Sequence, residues 1–180
     1  EARGIPVWNP PAALRWNLDK HYLREPAAAG IDVPRTIFIP RGPGPYLAQL
    51  LAEHGFTDVV IKPAVSLSAY RTFRCDPATA ADHQTELAEA LTDGAVLVQE
   101  FVPAVQTAGE LSLVFLDRRY SHAVRKRPRA GDFRVQADHG GTRETCEPPA
   151  WILARAEACI AAVPGPLLYA RVDGIEHDHH

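Results

Sequence analysis

Short β-rich runs alternate with helical stretches along the whole sequence, and this alternation restricts the fold more than any other feature. The run at residues 58–62, DVVIK, is apolar and is stopped by Pro63. Residues 78–92 have a helical pattern that ends near Gly94. Two further runs, 110–116 and 120–126, are close enough to predict an antiparallel hairpin. Helices interspersed with hairpin-connected strands predict an α+β protein.

The remaining elements complete two predicted lobes. A polar, glycine-containing segment at 128–145 is typical of a loop, and residues 101–109 form the predicted crossing from one lobe to the other. We predict further helices at 16–29, 44–54 and 149–162, and further strands at 36–39, 70–75, 95–99 and 167–172.

Composition excludes several classes of protein. The chain has 180 residues, of which 46% are apolar, so it can bury one sizeable core or two small ones. No apolar run approaches the roughly 20 residues of a membrane span. A net charge of −3 argues against a general nucleic-acid-binding surface. The 3 cysteines form no CxxC pair and give no disulfide framework, which favours a reducing, cytoplasmic compartment.

Lysine is scarce, and its positions are therefore informative. Only Lys20, Lys62 and Lys126 interrupt an almost exclusive use of arginine among the 19 basic residues. Lysine serves as a flexible point charge for phosphate. Lys62 ends an apolar strand and is followed by small residues, so it could present an ammonium and backbone N–H groups to phosphate. The alternative is a lysine at a strand end that extends to water.

A basic run and a strand-end carboxylate suggest a polyanion with a cation. Seven basic residues lie between Arg118 and Arg134, against the single acid Asp132. Such a cluster in an acidic protein suggests a nucleoside triphosphate, and the alternative is a solvated hairpin surface. Asp173 closes the final predicted strand. It could be a ligand of Mg²⁺, although an aspartate that caps the strand is the commoner explanation.

Six segments, taken together and in order, resemble the ATP-grasp ligases. They are NPPAALRWNLDKHYL, VVIKPAVSLSAYRTFR, VLVQEFVPAV, GELSLVFLDRRYSHAVRKRP, GDFRVQADHGG and YARVDGI. The resemblance extends from about Val7 to Ile175. It is to the branch close to glutathione synthetase and the ribosomal-protein glutamate ligases, and within it to the cyclo-ligase type of D-cycloserine biosynthesis.

The resemblance implies the ATP-grasp fold, with two α/β lobes and the nucleotide between them. Residues 1–103 would form the first lobe with a leading helical segment, and residues 104–180 would form the second. The family has a further N-terminal domain that this sequence does not include. After RVD the family also continues with a Glu and an Asn that bind metal, whereas this sequence ends in EHDHH.

The resemblance also implies roles for individual residues. Lys20 and Lys62 match the lysines that bind nucleotide phosphates, and Glu110 matches the acid that binds the ribose hydroxyls. Arg134 matches a catalytic arginine near the transferred phosphoryl group, at which Lys62 would also act. The other implied nucleotide-binding residues are Gln99, Glu100, Phe101 and Val102 at adenine, Lys126, and the loop residues Gly140 and Gly141. Asp173 matches the first of the Mg²⁺ ligands.

The implied activity is that of an ATP-dependent ligase. It would activate the carboxylate of a small-molecule substrate as an acyl phosphate and form a C–N bond, by ring closure within a small amino-acid derivative. The alternatives are an intermolecular carboxylate–amine or peptide ligase and an ATP-binding fragment without turnover. Nucleic acid and membrane are not expected as partners, and a homo-oligomer is left open.

Overall fold

The computed structural model describes residues 7–177, which form two compact units. The N-terminal unit consists of Asp19–Leu23 and Val33–Val102, and the C-terminal unit contains Arg24–Asp32, the residues up to Leu18 and those from Pro103 onward. Most of the leading helical segment is therefore part of the C-terminal unit, and only Asp19–Leu23 are part of the N-terminal unit. The assignment of 1–103 and 104–180 to two ATP-grasp lobes stays a prediction, and its outermost residues lie outside the described part.

Helices and strands alternate along the chain, as the sequence predicts. None of the helices in residues 7–177 is long and apolar enough to cross a membrane. The first elements are α1 (Pro11–Leu18), a 3₁₀ turn (Lys20–Leu23), α2 (Arg24–Ala28), β1 (Thr36–Ile39), α3 (Leu47–Glu53), β2 (Val59–Pro63), β3 (Phe73–Cys75) and α4 (Gln84–Asp93). They are followed by β4 (Val96–Glu100), α5 (Ala104–Thr107), β5 (Glu110–Leu116), β6 (Arg119–Arg127), a 3₁₀ turn (Ala137–His139), β7 (Thr142–Cys146), α6 (Ala150–Ala162) and β8 (Tyr169–Gly174).

The N-terminal unit contains an antiparallel sheet of order β1-β4-β2-β3. Strand β2 has two different faces, because successive side chains point to opposite sides. Val59 and Ile61 are fully buried in the core with residues of α3 and α4. Lys62 lies on the opposite face. Strand β2 pairs with β3 in an antiparallel register in which Val59 is opposite Cys75.

The C-terminal unit contains an antiparallel sheet of order β7-β6-β5-β8. On β5, the residues Leu111, Leu113 and Phe115 are at most 1% exposed and pack in the core that includes α6. Glu110 and Ser112 occupy the other face of the same strand. The predicted hairpin of β5 and β6 is confirmed. This two-faced strand sets the position of the candidate site.

The sequence predictions of a helix at 16–29 and of a loop at 128–145 are wrong in part, and the helix predicted at 78–92 and the strand predicted at 70–75 are shorter, at Gln84–Asp93 and Phe73–Cys75. The predicted helix at 16–29 is interrupted after Leu18, because the Asp19 carboxylate accepts the backbone N–H of His21 at 3.0 Å and replaces a helical bond. The predicted loop at 128–145 ends in strand β7, whose Thr145 is paired with Val124 of β6. Strand β7 is mostly exposed, so it lacks the apolar alternation by which strands are found.

Arg118 links the β5–β6 turn to the end of helix α6. Its guanidinium donates to the carbonyl oxygens of Ile160 at 2.8 Å, Gly165 at 2.6 Å, and Val163. The last carbonyls of a helix have no partner within the helix, and a basic side chain there also interacts well with the helix dipole. Arg118 therefore caps the C-terminal end of α6 and connects it to the β5–β6 turn.

We expect Arg118→Ala to lower the free energy of unfolding by about 1–3 kcal/mol, because several charge-assisted hydrogen bonds are lost together. Urea unfolding monitored by circular dichroism measures this change. Arg119→Ala is the matched control, since Arg119 is the exposed residue directly after this turn, at the start of β6. Equal stability of the two variants would contradict the capping role.

Candidate functional site

Lys62 and Gln99 meet on the face of the N-terminal sheet that is opposite to its core. The Lys62 Nζ donates to Gln99 Oε1 at 2.8 Å, and Gln99 Nε2 donates to Thr36 Oγ1 at 2.9 Å. The strand order places β4 between β1 and β2, with Gln99 paired to Thr36 on one side and to Val60 on the other. Two residues that were predicted to bind nucleotide are therefore direct neighbours.

Lys20 lies beside the loop that follows Lys62. Its ammonium donates to the carbonyl oxygens of Pro63 and Ala64, both at 3.3 Å, and of Ser66 at 3.1 Å, and to Ser66 Oγ at 2.9 Å. An ammonium has three N–H donors, so these contacts use them all. Burial lowers the pKa of Lys20, partly offset by the charge of Asp19. In this structure Lys20 stabilises the loop. To bind a phosphate, its ammonium would have to give up one of these hydrogen bonds to a carbonyl oxygen.

The segment Gln99–Val102, which the resemblance assigns to adenine, has part of its backbone engaged within the fold. The N–H of Glu100 donates to the carbonyl of Arg35 at 2.8 Å, and the N–H of Phe101 donates to that of Asp58 at 3.0 Å. Backbone recognition of a base by this segment would therefore have to use its other polar groups.

Three predicted residues of the C-terminal unit come together in a cluster of charges. Lys126 Nζ donates to Glu110 Oε1 at 2.9 Å and lies 3.6 Å from Asp173 Oδ1. Glu110 is paired with Lys126 across β5 and β6, and Asp173 is on β8 at the other side of β5. One ammonium thus stands between two carboxylates. With Ser112 and Arg171, these residues are called the charge cluster below.

The sequence reasoning did not assign Ser112 and Arg171 to the site. Ser112 donates to Asp173 Oδ1, and Arg171 NH2 lies 2.6 Å from Asp173 Oδ2. Strand alternation was the signal that could have found them. Ser112 stands two residues after Glu110, and Arg171 stands two residues before Asp173, so each shares the face of its predicted neighbour.

Burial and neighbouring charge act in opposite directions on Glu110. Burial raises the pKa of Glu110, and the negative charge of Asp173 raises it further, whereas Lys126 lowers it. The pKa of Arg171 is raised mainly by its hydrogen bond to Asp173. The ionised form of Glu110 therefore depends on the ammonium of Lys126.

The donor set of the charge cluster fits a Mg²⁺ ion that takes other ligands from phosphate and water. Mg²⁺ commonly binds through one or two carboxylates plus substrate phosphates. The side chain of Asp173 is 35% exposed, so a cation can reach it. Among the residues that the structure describes, no group of three or more His, Cys, Asp or Glu side chains could hold a metal alone.

Arg134 is held by Asp132 in the loop between β6 and β7. Its Nε and NH2 lie 3.0 and 2.9 Å from the two carboxylate oxygens, and Asp132 also accepts the N–H groups of Phe133 and Arg134. The Arg134 guanidinium holds the pKa of Asp132 well below its usual range. Asp132 is only 8% exposed, so it anchors the loop and fixes the direction of the arginine.

Gly140 and Gly141 close this loop. Gly140 has a φ of 81°, which favours glycine, and a Cβ at Gly141 would lie 2.3 Å from the carbonyl oxygen of Val135. Only a residue without a side chain allows that approach. The structure thus gives these glycines a packing role, while a contact with nucleotide stays a prediction.

Comparisons with known proteins point to a common family. No protein-family model matches the chain. It is 32% identical over 121 residues to the cycloserine biosynthesis protein DcsG of Streptomyces lavendulae, which covers 65% of this chain and 40% of that protein. It is 33% identical over 152 residues to glutathione synthetase of Prochlorococcus marinus (strain MIT 9313), which covers 82% of this chain and 46% of that enzyme.

Solved structures agree with these relatives. The crystal structure of D-cycloserine synthetase DcsG matches with a TM-score of 0.79 and 27% identity, over 96% of this chain and 62% of that one. The chain is an ATP-grasp protein. A D-alanine–D-alanine ligase from Bacillus anthracis complexed with ATP has a TM-score of 0.65 at 20% identity, over 91% of this chain and 52% of that one, and supports the fold alone.

The ATP-grasp chain spans less than half the length of the two curated relatives that it matches. The predicted ATP-grasp fold and family resemblance are confirmed. The roles of individual residues are not tested by these likenesses. They stay predictions. The contact between Lys62 and Gln99 and the contacts within the charge cluster support them.

The Asp132–Arg134 pair predicts how stability depends on pH. Because the pKa of Asp132 is lower in the folded chain, the pair stabilises fully above the unfolded value of about 4. This contribution is lost as pH falls through the folded value. We therefore expect Asp132→Asn to be less stable at neutral pH and to lose less further stability below pH 4, as measured by thermal melting.

Asp138→Asn is the matched control, because Asp138 is exposed in the same loop. If Asp132→Asn and Asp138→Asn follow the parent with the same acid dependence, the pair does not contribute to stability in this way.

Proposed function

We propose that this ATP-grasp protein is an ATP-dependent ligase that activates a substrate carboxylate and forms a C–N bond. The observation that carries the proposal is the charge cluster, in which Lys126 stands between Glu110 and Asp173 at 2.9 and 3.6 Å. The ammonium that the two carboxylates share, together with the 35% exposure of the Asp173 side chain, suits a bound metal–nucleotide complex better than a purely structural ion pair. The related ligases support the same activity.

The residues with a proposed nucleotide-binding role are Lys62, Gln99 and Lys20 in the N-terminal unit and Glu110 in the C-terminal unit. Lys62, on the site face of β2, would contact phosphate, and Gln99 orients its ammonium by accepting a hydrogen bond at 2.8 Å. Lys20 would add a second positive charge after releasing a loop carbonyl. Glu110 would accept hydrogen bonds from the ribose hydroxyls, which suits a carboxylate that is partly buried.

The reaction would proceed in two steps. A carboxylate oxygen of the substrate attacks the γ-phosphorus of ATP, the bond from that phosphorus to the bridging oxygen breaks, and ADP leaves. A nitrogen nucleophile then attacks the acyl carbon, loses a proton, and displaces inorganic phosphate. Phosphoryl transfer of this kind depends on positioning and charge neutralisation. Arg134 would stabilise the charge that develops on the transferred group.

Mg²⁺ would be held by Asp173 and would neutralise phosphate charge when bound. Neighbouring side chains would hold the carboxylate of Asp173 in one orientation. Arg171 and Ser112 contact its two oxygens, and Lys126 keeps Glu110 beside it. The metal would thus meet a carboxylate that is already in place.

The finer proposal is ring closure within one small amino-acid derivative. It is supported by the likeness to the cycloserine biosynthesis protein, in sequence and in structure. Intermolecular ligation of a carboxylate to an amine is the second candidate. It is supported by glutathione synthetase, whose match extends over 82% of the chain, against 65% for the other relative.

An isotope experiment tests the proposed function. ATP labelled with ¹⁸O at the β,γ-bridging position should exchange that label into non-bridging positions when a carboxylate substrate forms an acyl phosphate. Ring closure requires one organic substrate for phosphate release, whereas intermolecular ligation also requires an added amine. Absence of exchange with every small amino-acid carboxylate would contradict a ligase, and ATP binding without exchange would favour a nucleotide-binding module.

We also propose a cytoplasmic location, supported by the state of the cysteines. Cys75, Cys146 and Cys159 are all free thiols in the structure. Burial raises the pKa of Cys75 to about 11, so this thiol is protonated and unreactive at neutral pH. Free thiols of this kind are typical of a reducing compartment.

Lys62→Ala is expected to weaken ATP binding by about 1–3 kcal/mol, the usual scale for a lost charge-assisted hydrogen bond. Isothermal titration calorimetry measures the affinity. Arg41→Ala is the control, because it removes one positive charge from an exposed position of the same unit. Unchanged affinity in Lys62→Ala would remove this lysine from the site.

Arg134→Lys is expected to lower kcat by roughly 10²–10³-fold and to leave ATP affinity nearly unchanged. The reason is that a preorganised guanidinium stabilises charge that grows in the transition state. Steady-state kinetics with ATP and the carboxylate substrate measures both quantities. Arg129→Lys, in the same loop and 66% exposed, is the control. A parental kcat together with a lower melting temperature would leave Arg134 with only its structural pairing to Asp132.

A further inference from the structure

We propose that Ser112 is a positioning residue, which fixes the carboxylate of Asp173 for a divalent cation bound with ATP. The inference rests on the proposed function, because it assumes a nucleotide with its metal at the charge cluster. It adds a residue to which neither the relatives nor the sequence motifs give a role.

The burial of Ser112 is the first reason. Its side chain is on the site face of β5, yet the residue is only 2% exposed, and Asp132 is the only other buried polar residue among those described. A buried hydroxyl loses its hydrogen bonds to water and needs a partner. The partner here is Asp173 Oδ1, directly across the β5–β8 pair in the register Ser112↔Asp173.

The division of contacts over the carboxylate is the second reason. Ser112 donates to Oδ1, and Arg171 NH2 lies 2.6 Å from Oδ2. With both oxygens engaged, rotation of the carboxylate is restricted. An ionised carboxylate has about four lone-pair positions, so these two hydrogen bonds leave positions for a cation.

The charge of the donor is the third reason. Glu110 and Asp173 are already matched by the two cations Lys126 and Arg171. A third cationic side chain at position 112 would repel a divalent metal. A hydroxyl orients the carboxylate without adding charge, and this is what a site for an incoming cation requires. Partners of metal ligands act in this way, and their loss typically weakens metal binding by about 10–100-fold.

Calorimetry with Mn²⁺ as the probe tests the inference. The affinity for ATP is measured with Mn²⁺ and again with EDTA, in the parent and in Ser112→Ala, Ser112→Thr and Ser121→Ala. The ratio of the two affinities isolates the contribution of the metal. Ser121→Ala is the matched control, because Ser121 is an exposed serine on the neighbouring strand β6.

We expect Ser112→Ala to lower the ratio by about 10-fold while the affinity for metal-free ATP stays at the parental value. Ser112→Thr keeps the hydroxyl and should recover most of the ratio, and Ser121→Ala should match the parent. If Ser112→Ala proves too unstable to assay, Ser112→Cys decides, because a thiol keeps the size of the side chain but is a weak hydrogen-bond donor. A lower ratio in folded Ser112→Cys than in Ser112→Thr supports the inference, and a parental ratio in Ser112→Cys overturns it.

Two outcomes separate this inference from the proposed function. A parental ratio in folded Ser112→Ala overturns the role of Ser112 and leaves the ligase proposal intact. If the parent itself binds ATP neither with Mn²⁺ nor with EDTA, the nucleotide site fails and the inference fails with it.

Discussion

The ammonium of Lys126 allows two carboxylates to lie side by side on one face of the C-terminal sheet. Without it, Glu110 on β5 and Asp173 on β8 would repel each other, and the pKa of Glu110, which burial and Asp173 already raise, would be raised further. A charge that is partly buried costs much unless it is paired. The geometry available for a metal and a ribose therefore depends first on this shared ammonium.

Both units use the same arrangement to hold their functional groups. In each, a strand gives alternate side chains to the core and the others to the site: Ile61 and Lys62 on β2, Leu111 and Glu110 on β5. Because packing of the apolar face fixes the backbone of the strand, the polar side chains on the other face need few further contacts to hold their positions. The loop carrying Arg134 has no such support from a core strand. It uses the buried Asp132 and the close approach of Gly141 to the backbone instead.

Local sequence patterns were sufficient to predict much of the fold and part of the candidate site. The scarcity of lysine singled out Lys62 and Lys126, and alternation located β2 and β5. Alternation puts Ser112 on the same face as Glu110, but its contact with Asp173 could not be predicted, because Asp173 is 61 residues away and the register of β8 brings the two together. The hydrogen bonds from Lys20 to the loop after Lys62 could not be predicted either. Their acceptors are mostly backbone carbonyls, which every residue has, so the sequence does not mark them. Strand β7 was missed because its exposed side chains follow no apolar period.

The two-faced strand β5 has a consequence for how such a protein can evolve. Insertion or deletion of one residue within β5 would exchange its faces, so that Glu110 and Ser112 would enter the core while leucines faced the nucleotide. Packing and chemistry would be lost in one event, and no compensating substitution could restore both. Changes of length should therefore accumulate in loops outside β5 rather than within the strand. New substrate preferences would then arise from loop variation over a strand of fixed length.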